Sequence, residues 1–187
     1  MDNSWTVVGI SGCTNSGKTT LASFLQKTFP GSVVINQDKF FRPDDSREHI
    51  LIPELNHKNW DCLNAVNWDT MMEQVEQILS SEPPSHRSLL IIEGHIIFNY
   101  DPMEKLCHKK YFLTMNKEEC FRRRCTRVYE PPDVPGYFEK CVWPMYLSNL
   151  EEINMKVTNV MYLDGTDKIE NICEKVLQDL KDTFGNL

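Results

Sequence analysis

Residues 5–25 read WTVVGISGCTNSGKTTLASFL. An apolar run, VVGI, leads into Gly12-Cys13-Thr14-Asn15-Ser16-Gly17-Lys18-Thr19, and an amphipathic segment with Leu21, Phe24 and Leu25 follows at once. The eight residues satisfy GxxxxGK followed by Ser or Thr, in the strand–loop–helix setting that gives the pattern its meaning. Each residue type has a physical task. The glycines let backbone N–H groups turn inward around a triphosphate, and the helix N-terminus adds its dipole. Lys18 reaches the β- and γ-phosphates and Thr19 offers its hydroxyl to Mg²⁺; Thr20, the next residue, is counted with the ATP-binding residues. Cys13 fills a variable position that contributes mainly its backbone, so the motif gives it no redox role.

Outward from this loop, apolar runs alternate with segments of helical period, the pattern of a parallel sheet with crossover helices. Strands are predicted at about 5–11, 32–36, 88–93, 109–114 and 156–163, and helices at about 18–29, 67–80, 116–128 and 138–154, with Asn67 and Asn116 as N-caps. A last helix follows from Ile169, Ile172, Cys173, Val176, Leu177, Leu180 and Phe184, with Asp167 and Glu170 as a capping box. The fold class is therefore α/β, with about five parallel strands flanked by helices in a single domain over 1–187. Two proline-rich polar stretches, 42–60 and 130–137, interrupt the alternation and read as binding loops or lids.

Composition narrows the partners. A 41% apolar content suffices for one core. A net charge of −7 argues against nucleic acid and anionic membrane, both of which want a basic face. The seven cysteines form no CxxC pair and the five histidines no ligand spacing, so structural zinc is not expected and reduced thiols are. The start, MDNSW, lacks a secretory pattern and no window approaches 18 apolar residues, which points to a cytoplasmic protein.

In a doubly wound sheet, ligands bind beyond the carboxyl ends of the strands. Asp38 follows the second strand in SVVINQDKFF (32–41), and Glu93 closes the third in LLIIEG. An Asp after a strand is commonly an Asx-turn cap. Beside a phosphate loop, however, phosphoryl transfer needs one carboxylate near Mg²⁺ and one near the attacking hydroxyl. Asp38 can serve either purpose, Glu93 resembles a metal-orienting acid, and Phe40 and Phe41 read as pocket walls. Farther on, Arg122, Arg123, Arg124 and Arg127 cannot share one helix face, and two of them are expected to meet phosphate or substrate.

Taken together, GISGCTNSGKTTL, INQDKFF, NWDCLNAVN, LLIIEGHIIFNY, YFLT, EECFRRRCTRVYEPPD, PGYF, VWPMYL and YLDGT resemble, in order and spacing, the nicotinamide riboside kinases among the uridine-kinase-like and nucleoside monophosphate kinase-like enzymes. The likeness covers nearly the whole chain. It implies a P-loop kinase three-layer sandwich with a small lid at about 117–137 and a substrate loop at 42–60. It further implies ATP-dependent phosphorylation of the ribose 5′-hydroxyl of nicotinamide riboside. By the same resemblance Asp38 is the general base and, with Thr19, serves the magnesium ion, to which the strand-end reading adds Glu93. Asp61 and Arg124 hold the ribose, and Arg123 and Arg127 face ATP. Asp167, Lys168 and Ile169 border the adenine, while Trp60 and Tyr129 sandwich the pyridinium ring, whose positive charge gains from both aromatic faces.

Three positions depart from the family pattern. Trp60 stands where Tyr is usual, Lys39 where a second acid follows the base, and Glu130 where the family has Gln. Lys39 and Glu130 are counted with the substrate-binding residues, and the carboxylate of Glu130 is expected to favour the cationic amide over nicotinic acid riboside. A monomer is expected. The rival readings are a uridine or cytidine kinase, which would gain less from a cationic-ring sandwich, and a nucleotide-dependent adaptor, which would have no need of Asp38.

Overall fold

A computed structural model describes residues 4–184, with side chains placed up to Lys181 and Asp182. Five strands form one parallel sheet in the order β2-β5-β1-β6-β7: β1 (Thr6–Gly12), β2 (Val33–Asn36), β5 (Leu89–Glu93), β6 (Lys109–Thr114) and β7 (Val160–Asp164). The chain runs from β1 to the edge at β2, returns to insert β5, then crosses β1 to reach β6. The direction of winding thus reverses around β1, and the carboxyl ends of β1 and β5 open onto the crevice where such folds bind ligands.

Side chains alternate across the strands, and both faces are buried. Val7, Leu90, Ile92 and Phe112 pack with Val75 of helix α2 (Trp68–Leu79) and Ile153 of α5 (Trp143–Lys156). Val8, Ile10, Leu89, Ile91, Tyr111 and Leu113 pack instead with Leu21 and Leu25 of α1 (Lys18–Thr28) and Val176 and Leu180 of α6 (Ile169–Phe184). A strand period of two with apolar residues on both sides gives the three-layer sandwich. Phe184, placed by periodicity on the apolar stripe of α6, has its side chain outside the described residues.

Asn67 and Asn116 cap their helices as expected, accepting from the Thr70 N–H at 3.4 Å and the Glu119 N–H at 2.8 Å. The capping box at α6 is different. The Asp167 carboxylate accepts from the Lys168 N–H, Asn171 and Lys175, so it bonds to the first turn without the expected exchange with Glu170. Helix α4 (Lys117–Arg124) ends four residues earlier than expected. Residues 156–159 belong to the end of α5 and a turn at Asn159 with φ of 58°, so the final strand begins at Val160. The span 138–142 starts as a π-turn before α5, and a short helix α3 (Asp101–Leu106) was not anticipated. Within 42–60 a small antiparallel hairpin forms, β3 (Leu51–Ile52) against β4 (His57–Lys58).

Candidate functional site

The phosphate loop leaves β1 pressed against β6. Gly12 has φ of 128°, and a Cβ there would lie 2.2 Å from the Leu113 carbonyl oxygen, which explains glycine at this position. The Cys13 N–H donates to that same oxygen at 2.9 Å. Lys18 arches back over the loop, and its Nζ donates to the carbonyls of Gly12 and Cys13 at 3.1 and 2.7 Å. Burial lowers the pKa of Lys18, with Glu93 as the main opposing charge.

Register brings the first carboxylate in. Glu93 pairs laterally with Ile10 on one side and Asn36 on the other. Its Oε1 accepts from Thr19 Oγ1 at 2.9 Å and from Asn36 Nδ2 at 2.6 Å. Burial raises its pKa, with Lys18 opposing. The donor set is hard oxygen throughout: the Thr19 hydroxyl, which gives its proton to Glu93 and keeps its lone pairs, and the carboxylates of Glu93 and Asp38. Among the described residues there is no cluster of three or more acidic, His or Cys groups able to cage a metal alone. Few protein oxygens beside a phosphate loop suit a cation that keeps water and phosphate ligands, as Mg²⁺ does.

Beyond β2 the chain enters a 3₁₀ turn, Gln37–Phe40, whose cap is Asn36: its Oδ1 accepts from the Asp38 N–H at 2.7 Å. The Asx-turn expected of Asp38 exists, but Asn36 makes it, and the carboxylate of Asp38 is left free for the cavity. In a turn of three residues, i and i+3 share a side. Asp38 and Phe41 accordingly line the cavity together. Lys39 and Phe40 fall on other sides: Lys39 is exposed and Phe40 packs against the core, so neither joins the lining as the sequence reading placed them. The remaining residue of the turn, Gln37, is fully buried; its Oε1 accepts from the Ile96 N–H and its Nε2 meets His95 Nδ1 at 3.1 Å. A Cβ on Gly94 would lie 2.3 Å from that Oε1. Burial holds the His95 pKa down to about 4.

Three arginines reach the cavity rather than two. Arg123 Nη1 donates to the carbonyls of Asn15 and Gly165 while its Nε pairs with Glu119 at 2.6 Å. Arg127 Nη1 donates to Asn15 Oδ1 at 3.0 Å. Arg124 lies 4.2 Å from the centroid of the Tyr129 ring and holds Asp133 through two hydrogen bonds. Arg122 instead pairs with Glu119 at the surface. Because α4 stops at Arg124, residues 125–130 fold across the phosphate loop, and the Tyr129 hydroxyl accepts from Asn15 Nδ2 at 2.9 Å.

Asp61, expected from the sequence on the sugar side, is held by Tyr137. Asp61 Oδ2 accepts from the Tyr137 hydroxyl at 2.9 Å, and that hydroxyl accepts from the Trp60 N–H at 2.9 Å. Burial raises the Asp61 pKa, with Arg124 as the leading opposing charge. Trp60 meets His49 at 4.4 Å between ring centroids and Phe41 edge-on at 5.7 Å.

These elements surround one cavity of about 680 Å³, whose wall includes Thr14, Asn15, Gly17, Lys18, Thr19, Thr20, Asp38, Trp60, Asp61, Glu93 and Tyr129 with Glu130. Gly12, Cys13 and Ser16 stand behind it as loop backbone. Asp167, Lys168 and Ile169 do not line it; Ile169 sits at the outer edge of the loop, its Cδ1 3.7 Å from where a Gly17 Cβ would be. The wall also contains His95, Asp133 and Tyr137, which the sequence reading passed over. PGYF and YEPPD carried the last two, but only their placement against Asp61 and Arg124 shows what they touch.

An AAA-domain family model matches residues 8–144. Nicotinamide riboside kinase 1 of Rattus norvegicus is 45% identical over 94% of this chain and 93% of its own length. Nicotinamide riboside kinase 2 of Homo sapiens is 37% identical over 96% and 83%. A sugar kinase from Janibacter, solved unliganded, superposes with a TM-score of 0.60 at 18% identity, covering 95% of each chain, a likeness of fold. Among the described residues no helix is long and apolar enough to cross a membrane. With identities of 37–45% over nearly its whole length, on a matched AAA domain, the chain belongs to the nicotinamide riboside kinase family.

Proposed function

We propose that this protein transfers the γ-phosphoryl group of ATP to the ribose 5′-hydroxyl of nicotinamide riboside, giving nicotinamide mononucleotide for NAD salvage. The observation that carries the reading is the single cavity that joins the phosphate loop to Asp38, Asp61, Trp60 and Tyr129. Family membership favours the same substrate pair.

In this reading the loop N–H groups and Lys18 hold the β- and γ-phosphates, and Arg123 and Arg127 add charge from the lid, where negative charge develops. Asp167, Lys168 and Ile169 border the adenine from the loop's outer edge. Asp61 and Arg124 take the ribose hydroxyls. Trp60 and Tyr129 receive the pyridinium ring, whose charge neighbours Glu130. Asp38 accepts the 5′-hydroxyl proton as that oxygen bonds to the γ-phosphorus; the bond to the β-phosphate oxygen breaks and ADP leaves. Thr19, Glu93 and Asp38 would hold Mg²⁺, which supplies charge neutralisation to the phosphate oxygens when bound. The seven free thiols fit a reducing cytoplasm, and the reading takes the chain as a monomer.

The test is a coupled ATP assay against nicotinamide riboside, nicotinic acid riboside, uridine and cytidine. Nicotinamide riboside should show the highest kcat/KM. Turnover of uridine without nicotinamide riboside would replace the proposal by the pyrimidine nucleoside reading, and turnover of none would favour the adaptor.

A further inference from the structure

Two sulfurs meet behind the phosphate loop. Cys13 Sγ lies 3.1 Å from Cys120 Sγ, and Cys120 Sγ in turn is 3.7 Å from the Thr14 carbonyl oxygen. Cys13 belongs to the loop and Cys120 to α4, the helix whose end carries Arg123 and Arg124. The other thiols differ in their surroundings: Cys62 and Cys141 bond to Asn59, Cys107 to the Met103 carbonyl, and Cys125 is exposed. A small cavity of about 20 Å³, large enough for one water-sized molecule, is bordered by both cysteines. Asp61 and His95 line this space and also the main cavity, so a peroxide-sized molecule entering the acceptor site is one layer of side chains from the pair.

We propose that Cys13 and Cys120 form an oxidation site, in which hydrogen peroxide converts the touching thiols to a disulfide that ties the phosphate loop to the lid helix and switches off transfer. The Cys120 thiolate attacks one peroxide oxygen; the O–O bond breaks, a sulfenic acid forms on Cys120, and hydroxide leaves and takes up the thiol proton as water. Cys13 then attacks the sulfenic sulfur, its proton goes to the departing hydroxyl, and a second water leaves. Two thiols lose two electrons and one peroxide gains them. Cys120 is the better first nucleophile: the hydrogen bond from Cys13 lowers its pKa against the effect of burial, and Arg124 and Lys18 add positive charge. Cys13, with its thiol pKa raised by its contact with Cys120 and by burial, is the resolving partner.

The functional consequence follows from distance. A disulfide requires about 2.0 Å between sulfurs, so the 3.1 Å contact must close by about 1 Å. Cys13 cannot move alone. Its carbonyl holds Lys18 Nζ at 2.7 Å and its N–H is fixed on Leu113. A shift of that size in phosphate-positioning groups lowers turnover by on the order of 10²-fold.

The experiment treats the whole chain with hydrogen peroxide and follows two readouts: the Cys13–Cys120 cross-linked peptide by mass spectrometry, and ATP turnover with nicotinamide riboside before and after dithiothreitol. Cross-linking should rise in step with loss of activity, and reductant should restore both. Cys120→Ala, a residue outside the phosphate and acceptor contacts, should keep activity through the same treatment. Because Cys125 is exposed to the same oxidant, Cys125→Ser is run alongside and should remain peroxide-sensitive. Absence of the cross-link, or equal inactivation of Cys120→Ala, would overturn the proposal. The cross-link is read without substrate, so it stands or falls apart from the assignment of nicotinamide riboside as acceptor; if the acceptor is another nucleoside, inactivation is followed with that one.

Discussion

Arg124 and Asp133 are locked together by two parallel hydrogen bonds, Nε to Oδ2 at 2.6 Å and Nη2 to Oδ1 at 2.9 Å. The same guanidinium covers Tyr129 and lies 3.4 Å from Thr14 Oγ1. The pair therefore sets where the lid chain lies over the phosphate loop. Arg124 is 8% exposed, so removing its partner leaves a charge that water reaches poorly. Asp133→Asn should lower Tm by roughly 3–10 °C, from a loss of about 1–3 kcal/mol, and raise KM for the riboside several-fold. A melt and steady-state kinetics check both; an unchanged Tm and KM would show that the lid is held by other contacts.

Asp38 is the next to test, because its carboxylate is free while Asn36 caps the turn. Asp38→Ala should lower kcat by about 10²–10⁴-fold, the usual contribution of a positioned base, with ATP affinity largely retained. Isothermal titration with a non-hydrolysable ATP analogue separates the two effects. Normal turnover in this variant would remove Asp38 from the chemistry.

The parallel α/β sheet and the places of its five strands were legible because GISGCTNSGKTT fixes one strand, one loop and one helix, and the remaining strands are short apolar runs; their order β2-β5-β1-β6-β7 came only from the structure. What was illegible depended on geometry off the main pattern. The stretch 116–128 reads as one helix, yet α4 ends at Arg124, and only then can Arg127 and Tyr129 reach Asn15. Lys39 looked like a pocket residue because it adjoins Asp38, whereas a 3₁₀ turn sends adjacent side chains to different sides. His95 gave no signal at all. Its position follows from Gln37, 58 residues away in sequence but at the end of the strand next to its own in the sheet, through a 3.1 Å contact that no spacing rule encodes.

His95 also sets an acid limb to stability. Its folded pKa is depressed from 6.5 to about 4, burial being the main cause. The unfolded chain therefore binds this proton first as pH falls. The neutral imidazole costs nothing above pH 6.5; between there and about 4 the unfolded state is favoured progressively, by a total on the order of a few kcal/mol. His95→Leu should flatten the dependence of Tm on pH across that window while lowering Tm at neutral pH modestly through the lost contact with Gln37. Parallel Tm-against-pH curves for wild type and variant would assign the limb to other groups.

Glu130 lines the cavity beside Tyr129, which places a carboxylate on the side proposed for the pyridinium ring. A cationic carboxamide ring gains from that charge, and nicotinic acid riboside loses part of the gain because its own carboxylate is repelled. Glu130 is solvent-accessible, so screening keeps the effect small, about 0.5–1 kcal/mol. The expected result is that wild type prefers nicotinamide riboside over nicotinic acid riboside, and that Glu130→Gln narrows the ratio of kcat/KM values by roughly 2–5-fold. The narrowing should shrink as ionic strength rises from 0.05 to 0.5 M, because the interaction is Coulombic at a wetted surface. A ratio identical in both enzymes at low salt would place selectivity elsewhere on the ring, with Trp60 and its neighbour His49 the next residues to vary.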